Sequence, residues 1–322
     1  MKRLLVILLS LAGCPGETTD ATDPLAPNWN MMSTDIPGGV LLSAWSHGDE
    51  LLMVGGELRG PDHKGLIARY RDGALCTEAI GDRTLWWVHG HDESTYYIVG
   101  EQGTVLRFAD GELTHEDVPT QATLFGVWDE GDVTWAVGGN INLGTGEIWV
   151  RRQGAWSLHS SELPALVFKV WNGWFVGDHV AWRMEDDKLV EHPPAERLLT
   201  VSGDSSDDVW AVGGLQSARV MHFEQGAWTT VDNSLGQALN GVWTGPGEDV
   251  WVAGNFGTLA RFDGSEWHKP TTPLTEHHFH AIYKHGDEVF AVGGNMFSTS
   301  NFSAMIARYS EDPMQLTPTS CP

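Results

Sequence analysis

The chain has 322 residues, of which 19 are Lys or Arg and 43 are Asp or Glu, so its net charge is −24 at pH 7. So acidic a surface repels phosphate backbones and anionic lipid headgroups, which argues against nucleic acid as a partner and against electrostatic membrane binding. Beyond the first residues the sequence consists of short apolar runs between Gly and Asp turns, with no helical period, and this pattern excludes a βαβ fold.

The N-terminus has the pattern of an export signal. Two basic residues follow Met1, and the apolar run 4–11 is shorter than the roughly 20 residues that span a bilayer. Leu11-Ala12-Gly13-Cys14 resembles the bacterial lipobox, so we expect removal of residues 1–13 and a palmitate-bearing lipid on Cys14. The alternative is an ordinary secretory signal with a chance Cys.

Residues 14–28 are small, polar and rich in Pro, a composition typical of a flexible tether. The lipoprotein resemblance implies that the membrane is contacted through the lipid anchor alone. Pro15 follows the Cys, and this favours the bacterial outer membrane or the cell surface as the location. The remaining residues, 29–322, are expected to form a single domain.

The stretch 239–270 contains four short runs rich in Val, Trp, Phe and Leu, which predicts a four-stranded antiparallel sheet. Such a sheet cannot bury both faces alone, so copies must stack. The opening run recurs at intervals of roughly 40 residues, the period of a propeller blade. We therefore predict an all-β, seven-bladed β-propeller of four-stranded antiparallel blades. The seven opening runs are 41–45, 85–89, 124–128, 166–171, 198–202, 239–243 and 279–283.

Short motifs within the repeats resemble the repeats of two propeller families. The doubled Gly at 55–56 and 293–294 and the run Arg261-Phe262-Asp263-Gly264 resemble kelch repeats. The runs 208–213 and 257–259 are similar to repeats of bacterial BNR-type and photosystem-II-assembly-factor-like propellers. The boxes that mark sialidase-type and WD40 blades are absent from the sequence. The resemblance implies a fold and no particular activity, because these families include both enzymes and binding proteins.

An Arg recurs in the third strand of most repeats, and many strands carry a Trp. A ring of Arg side chains is one way to bind a carboxylate, as a sialidase site does. Packing over an aromatic ring, as Arg261 over Trp267, is the alternative that the repetition favours. By the same argument most of the Trp side chains belong to the core between blades.

Two clusters have residue types that bind metals. The first turns of the blades are acidic and lie on one rim, where Asp204, Asp207 and Asp208 offer oxygen ligands for calcium. His278 and His280 would share one strand face. Asp in turns more often bonds its own backbone, and His near a strand start is often solvated. We therefore expect no cofactor, with calcium as the alternative.

Long and variable loops follow the second strands, on the face opposite the acidic rim, and such loops are where rigid folds acquire binding sites. We expect a non-catalytic binding or scaffolding protein, a monomer, whose partner is a protein or glycan at the cell surface. The alternatives are a secreted hydrolase or lyase acting on glycan or peptide and, for the longest loops, disordered excursions. The candidate ligand-binding residues are Arg59, Asp62, His63, Asn140, Asn142, Asp178, His179, Asn255, Phe256, Asn295, Phe297 and Asn301.

The ends of the domain are expected to meet. Residues 27–31 resemble a fourth strand although they precede the first blade, so we predict that they complete blade seven beside Arg308 and Tyr309. Met314 competes for the same place. A C-terminal tail leaving blade seven would bring Cys321 to Cys76 in the first blade, and a disulfide there suits an oxidising compartment.

Overall fold

The computed structural model describes residues 28–59, 63–193, 196–298 and 301–321. These residues form seven antiparallel sheets and one short 3-10 turn, Glu101–Gly103. The first strands of consecutive sheets contact one another, and the seventh contacts the first, so the sheets close into a ring. The all-β, seven-bladed propeller predicted from the repeats is confirmed. No helix in the described part of the chain has the length and apolar character needed to cross a membrane.

Each blade is a meander whose first strand lies at the ring axis and whose fourth lies outside. The first described strand is β1 (Asn28–Pro37), and blade 1 follows as β2 (Val40–His47), β3 (Glu50–Gly56), β4 (Gly65–Arg71) and β5 (Ala74–Ile80). Blade 2 contains β6 (Leu85–Asp92), β7 (Thr95–Gly100), β8 (Val105–Ala109) and β9 (Glu112–His115). Blade 3 contains β10 (Thr123–Asp129), β11 (Val133–Asn140), β12 (Thr145–Arg152) and β13 (Ala155–Leu163).

The other blades follow the same order. Blade 4 contains β14 (Val167–Trp171), β15 (Trp174–Gly177), β16 (Val180–Glu185) and β17 (Lys188–Glu191). Blade 5 contains β18 (Leu198–Ser205), β19 (Asp208–Gly213), β20 (Arg219–Glu224) and β21 (Ala227–Thr230). Blade 6 contains β22 (Leu239–Trp243), β23 (Val250–Gly254), β24 (Leu259–Phe262) and β25 (Trp267–His268). Blade 7 contains β26 (His278–His285), β27 (Glu288–Gly294) and β28 (Ser303–Ser310), and β29 (Thr319–Ser320) lies in the tail.

A Gly stands near the end of every second strand because no side chain fits there. A Cβ at Gly55 would lie 1.8 Å from the carbonyl oxygen of Val40, and one at Gly293 would lie 1.9 Å from that of His278. In both cases the carbonyl precedes the residue that pairs with the Gly in the first strand. The same collision occurs at Gly100, Gly138, Gly177, Gly213 and Gly254.

The apolar core lies between the blades, and each large cluster joins side chains of two neighbouring blades. Trp174 of blade 4 packs against Phe223 and Trp228 of blade 5, with ring centroids 4.6 and 5.2 Å apart. Trp45, Trp135, Trp210 and Trp251 are buried in such clusters, as the sequence indicated. Trp128, Trp171 and Trp243 are only half-buried, and they also line the central channel.

The third-strand cations pair with the acidic first turns. Arg261 binds Asp249 at 3.2 Å and lies over the ring of Trp251, 5.8 Å from its centroid. The predicted contact of Arg261 with Trp267 is wrong, because Trp251 is the cross-strand partner of Arg261 whereas Trp267 pairs with Phe262. Comparable pairs are Arg69–Glu50, Arg183–Asp207, His222–Asp208 and Arg308–Glu288.

Strand β1 closes the ring by pairing antiparallel with β28, with Trp29 opposite Tyr309. The tail then crosses β1, where the Leu316 amide donates to the Met32 carbonyl. Cys321 forms a disulfide with Cys76 of blade 1. We expected the tail to contain no strand. Instead, β29 adds a short parallel strand to the edge of β5.

Candidate functional site

Every first strand carries a β-bulge directly after the residue that pairs with the Gly near the end of the second strand. A bulge leaves a backbone group outside the regular ladder, and side chains of neighbouring blades bind the freed carbonyls. The Nζ of Lys169 donates to the Phe125 carbonyl at 2.7 Å, and the Nδ1 of His280 donates to the Leu42 carbonyl at 2.6 Å. The bulged residues are Leu42, Trp86, Phe125, Phe168, Leu199, Asn240 and His280.

Five candidate residues come together where blades 6 and 7 meet, on the face that carries the loops between second and third strands. We call this the second-turn face. His278 is buried at the start of β26, and the rings of Phe256 and Phe297 approach it edge-on, with centroids 4.8 and 4.5 Å away. Phe256 is 52% exposed and Phe297 68% exposed. We refer to Phe256, His278 and Phe297 as the aromatic clamp.

One ring nitrogen of the clamp His already has neighbours within the protein. His278 Nδ1 lies 3.3 Å from the Phe256 amide nitrogen and 3.2 Å from Asn255 Oδ1. Burial lowers the pKa of His278 and the neighbouring His277 lowers it further, so the ring is neutral at pH 7. The side chain of Asn255 accepts from Asn240 at 3.0 Å and so fixes the loop before Phe256.

The loop that carries Phe297 is held by Asn295. Its side-chain oxygen accepts from the Ser303 amide at 2.8 Å, and its amide group donates to the Asn301 carbonyl at 3.0 Å. Asn301 has a φ of 57°, a left-handed conformation that Asn tolerates better than most residues. These contacts close the loop and leave the Phe297 ring pointing outward, so Asn295 and Asn301 shape the clamp.

The same loop also reaches blade 1 across the seam where the ring closes. Phe302 is buried against Val40 and Leu42, and Met296 and Leu58 pack on the same cluster. Leu58 belongs to the second-turn loop of blade 1, so Met296 and Phe302 pack against that loop across the seam. Residues 299–300 lie outside the described part of the chain.

The other candidates are distributed around the second-turn face. His63 Nε2 lies 2.7 Å from Glu101 Oε2 of the next blade, and Arg59 is exposed. Asp178 accepts a hydrogen bond from Arg197 at 2.9 Å, and His179 follows it in a left-handed conformation. Asp62 lies outside the described residues.

Asn140 caps its own turn, because its side-chain oxygen accepts from the Asn142 and Leu143 amides at 3.0 and 3.3 Å. This role is structural. The candidates of blades 1, 3 and 4 therefore have local partners, and the candidates of blades 6 and 7 form the cluster.

The proposed metal ligands are not gathered into one site. Asp207 binds Arg183 of blade 4, whereas Asp208 binds His222 within blade 5. His278 faces the clamp, whereas His280 bonds the Leu42 carbonyl, because the bulge after Phe279 breaks the shared strand face. One group in the described chain has three ligand atoms within 4.8 Å of one another, formed by exposed Asp263, Glu266 and His268.

A central channel of about 210 Å³ lies on the ring axis and is lined by first-strand residues of all seven blades. Its lining reaches Gly203, Gly245 and Pro246, so it opens on the rim that carries the acidic first turns. Aromatic side chains dominate the wall, and Lys169 is the only Lys or Arg among the lining residues. The aromatic residues are Trp87, Trp128, Trp171, Trp243 and Tyr283.

Sequence reasoning missed Lys169. Its signal was a charged residue in the apolar run Val167-Phe168-Lys169-Val170-Trp171, at a position where the other first strands have Ser, Trp, Gly, Thr or Ala. It weighed His278 only as a metal ligand and missed its contact with Phe256 and Phe297, because that contact joins residues from three separate segments.

Several solved structures resemble this chain. YCF48 from Cyanidioschyzon merolae superposes with a TM-score of 0.61 at 15% identity, covering 87% of this chain and 98% of that one. A structure of YCF48 bound to D1 peptide gives 0.61 at 15%, covering 88% and 97%. The WD40 propeller domain of Doa1 gives 0.62 at 11%, covering 87% and 97%. At these identities the similarity shows the fold alone. No protein-family model and no curated protein matches the chain.

Proposed function

We propose that this protein is a lipid-anchored binding protein of the bacterial cell envelope that holds a protein partner on its second-turn face, without catalysing a reaction. The observation that carries the proposal is the aromatic clamp. Two Phe rings stand mostly exposed on a buried His, and exposed aromatic groups on a rigid base are typical anchors of protein interfaces.

Other apolar side chains on the second-turn face favour a protein partner over a glycan. Ile141 and Leu143 of blade 3 and Leu215 of blade 5 are exposed on second-turn loops, at 60%, 73% and 73%. Exposed apolar groups are typical of surfaces that bind proteins. A propeller of the same fold, YCF48, has been determined with a bound peptide, which supports this mode of use.

The alternative of a hydrolase or lyase is not favoured by the channel. Glycoside hydrolysis needs two carboxyl groups facing each other across the substrate. The lining of the channel contains Lys169 and His89 and no Asp or Glu.

A photo-crosslinking experiment tests the proposed face. p-Benzoylphenylalanine is placed at Phe297 or at Phe256 in the full chain expressed in cells, and crosslinked products are identified by mass spectrometry. We expect the same protein partner from both positions. In the protein that carries the crosslinker at position 297, replacing Phe256 with Ala should reduce the amount of crosslinked partner at least fivefold, because both rings contact His278.

Val190 and Leu158 supply matched controls. Both are exposed apolar residues on outer strands, at 37% and 46%, far in sequence from the clamp. Crosslinkers at these positions should not capture the partner. Equal capture from Val190 and Phe297, or a partner captured only from the acidic rim, would show that the second-turn face is not the binding surface.

The lipid anchor is tested separately, since Cys14 lies outside the described residues. Cells fed an alkyne-labelled palmitate should incorporate the label into the wild-type protein and not into Cys14→Ser. The variant should also leave the membrane fraction. Label retained by Cys14→Ser, or a wild type found only in soluble fractions, would refute the anchor without affecting the clamp.

A further inference from the structure

Lys169 is buried in the wall of the central channel without an acidic partner. Only 4% of the residue is exposed, and its Nζ lies 4.1 Å from the centroid of the Trp87 ring. The Phe125 carbonyl accepts one of its hydrogens. Among the described residues no carboxylate lies within ion-pair distance of this ammonium group. Burying a charged amine in an apolar wall lowers the stability of the folded protein. A Lys at this position is therefore a candidate for a functional group.

The titratable groups around Lys169 are uncharged at neutral pH. His89 lies in the channel wall, and His280 lies in the adjoining bulge layer. Desolvation lowers the pKa of each to about 3, helped by His91 for His89 and by Lys169 for His280. Burial raises the pKa of Tyr283 to about 12. None of the three can serve as a counter-ion.

The bulged residues Trp86, Phe125 and Phe168 lie next to the channel on its second-turn side, with ring centroids 5.2 and 5.7 Å apart along the row. None of them belongs to the lining. The lining reaches the first-turn rim at Gly203, Gly245 and Pro246, so a ligand that enters from this rim reaches Lys169 between aromatic walls.

We propose that this channel is a second binding site, which takes a small apolar aldehyde or ketone and holds it as an imine on Lys169. The volume of about 210 Å³ suits a ligand of this size, since an apolar cavity of roughly 150 Å³ holds benzene. The indole and phenol rings of the wall pack on the apolar body, and the amine reaches the carbonyl carbon.

Charge at the mouth favours a neutral carbonyl compound over a carboxylate. Asp204 follows Gly203, and Glu248 stands two residues after Pro246, so the entrance passes acidic first turns of blades 5 and 6. A negatively charged ligand is repelled there, and a neutral one is not.

The chemistry balances without an oxidant or reductant. The lone pair of neutral Lys169 attacks the carbonyl carbon, the oxygen takes a proton, and loss of one water gives the C=N bond. Burial lowers the pKa of Lys169 to about 7, so a large fraction of the amine is neutral at pH 7. An ordinary surface Lys, near 10.4, is almost entirely protonated at this pH.

Reductive trapping tests the proposal on the intact protein. The full chain is incubated at pH 7 with benzaldehyde and sodium cyanoborohydride, which converts any imine into a stable benzyl amine, and the modified Lys is located by peptide mapping. We expect benzylation of Lys169 at least tenfold faster than of Lys64, Lys188, Lys269 or Lys284. Slower or equal labelling of Lys169 overturns the proposal.

Two variants separate channel binding from simple amine reactivity. Gly245→Trp places a ring at the channel mouth, where a Cβ on Gly245 would meet no atom closer than 3.8 Å, and should abolish labelling of Lys169 while leaving Lys188 unchanged. Lys169→Met removes the amine and should also abolish the quenching of Trp fluorescence that benzaldehyde causes at low concentration. Labelling of Lys169 that persists in a folded Gly245→Trp variant places the reaction outside the channel and refutes the site.

Discussion

His280 and Asn240 occupy the same bulged position in neighbouring blades, and each donates a hydrogen bond to a backbone carbonyl at the bulge of the next blade. Asn240 donates through Nδ2 to the Phe279 carbonyl at 2.8 Å, and His280 donates through Nδ1 to the Leu42 carbonyl at 2.6 Å. The two side chains place an N–H at a similar distance from the backbone. A buried donor at this position satisfies a carbonyl that the bulge exposes, and a neutral group suffices.

This equivalence predicts a pH effect. The pKa of His280 is lowered from 6.5 to about 3 by desolvation, with Lys169 adding repulsion. The unfolded chain therefore binds one more proton than the native protein between these values, and stability falls as pH drops below about 6.5. His280→Asn should keep the donor, leave stability at pH 7 within ~1 kcal/mol, and reduce the loss between pH 6 and 4 by ~1.4 kcal/mol per pH unit.

Urea unfolding at a series of pH values measures the slope. Exposed His115 provides the control, since His115→Asn should leave the profile unchanged. His89 should keep its own contribution to the pH dependence of stability in both variants, because burial and His91, and not His280, lower its pKa to about 3. An unchanged slope in His280→Asn would mean that this ring does not titrate with unfolding.

Individual side-chain contacts were the part of the molecule that the sequence did not specify. The repeat predicted that Arg261 lies over an aromatic ring, yet the ring is Trp251 and not Trp267, because the choice depends on strand register. The clamp joins Phe256, His278 and Phe297 through folding of three segments, and no spacing in the sequence encodes their contact.

The second strands show how a repeat enforces a fold. Near the end of each of the seven second strands, the Gly lies against the carbonyl of the residue before its first-strand partner, at distances that no Cβ permits. The sequence showed the repetition directly, so both the number of blades and the position of each Gly followed from it. The exact start of a strand was harder to predict. The first strand of blade 4 was expected to begin at Leu166, whereas its ladder begins at Val167, opposite Gly177. The carbonyl oxygen of Leu166 would lie 1.9 Å from a Cβ on Gly177.

Gly293→Ala is therefore expected to destabilise the protein by roughly 2–4 kcal/mol, because backbone must move to relieve a contact of 1.9 Å. Gly245→Ala is the matched control. Gly245 has no positive φ, and its Cβ would meet only the Trp243 ring at 3.8 Å, so we expect a change within about 0.5 kcal/mol. Chemical unfolding measures both, and similar values for the two variants would contradict the steric argument.

Closure of the ring involves both ends of the described chain. Strand β1 supplies the fourth strand of blade 7, and Met32 and Ile36 on it are fully buried in the cluster between blades 7 and 1. The tail covers β1 from outside, where Met314 and Leu316 pack on the same cluster. A ring opened at this seam would expose apolar surface of both blades at once, so closure and folding are expected to be a single cooperative event.

The disulfide between Cys76 and Cys321 fixes this seam covalently across 245 residues of chain. Cross-linking so long a loop reduces the entropy of the unfolded state, an effect on the order of 5 kcal/mol in the chain-entropy model. The Cys76→Ser/Cys321→Ser variant should thus unfold at a lower denaturant concentration than the oxidised wild type, and a reductant should shift the unfolding midpoint of the wild type only.

Deleting residues 311–322 should lower the free energy of unfolding more than the double Ser substitution does, because the deletion also removes the packing of Met314 and Leu316. If the deletion and the double Ser variant unfold together, the tail acts through the disulfide alone; if the reductant shifts neither protein, the pairing does not form.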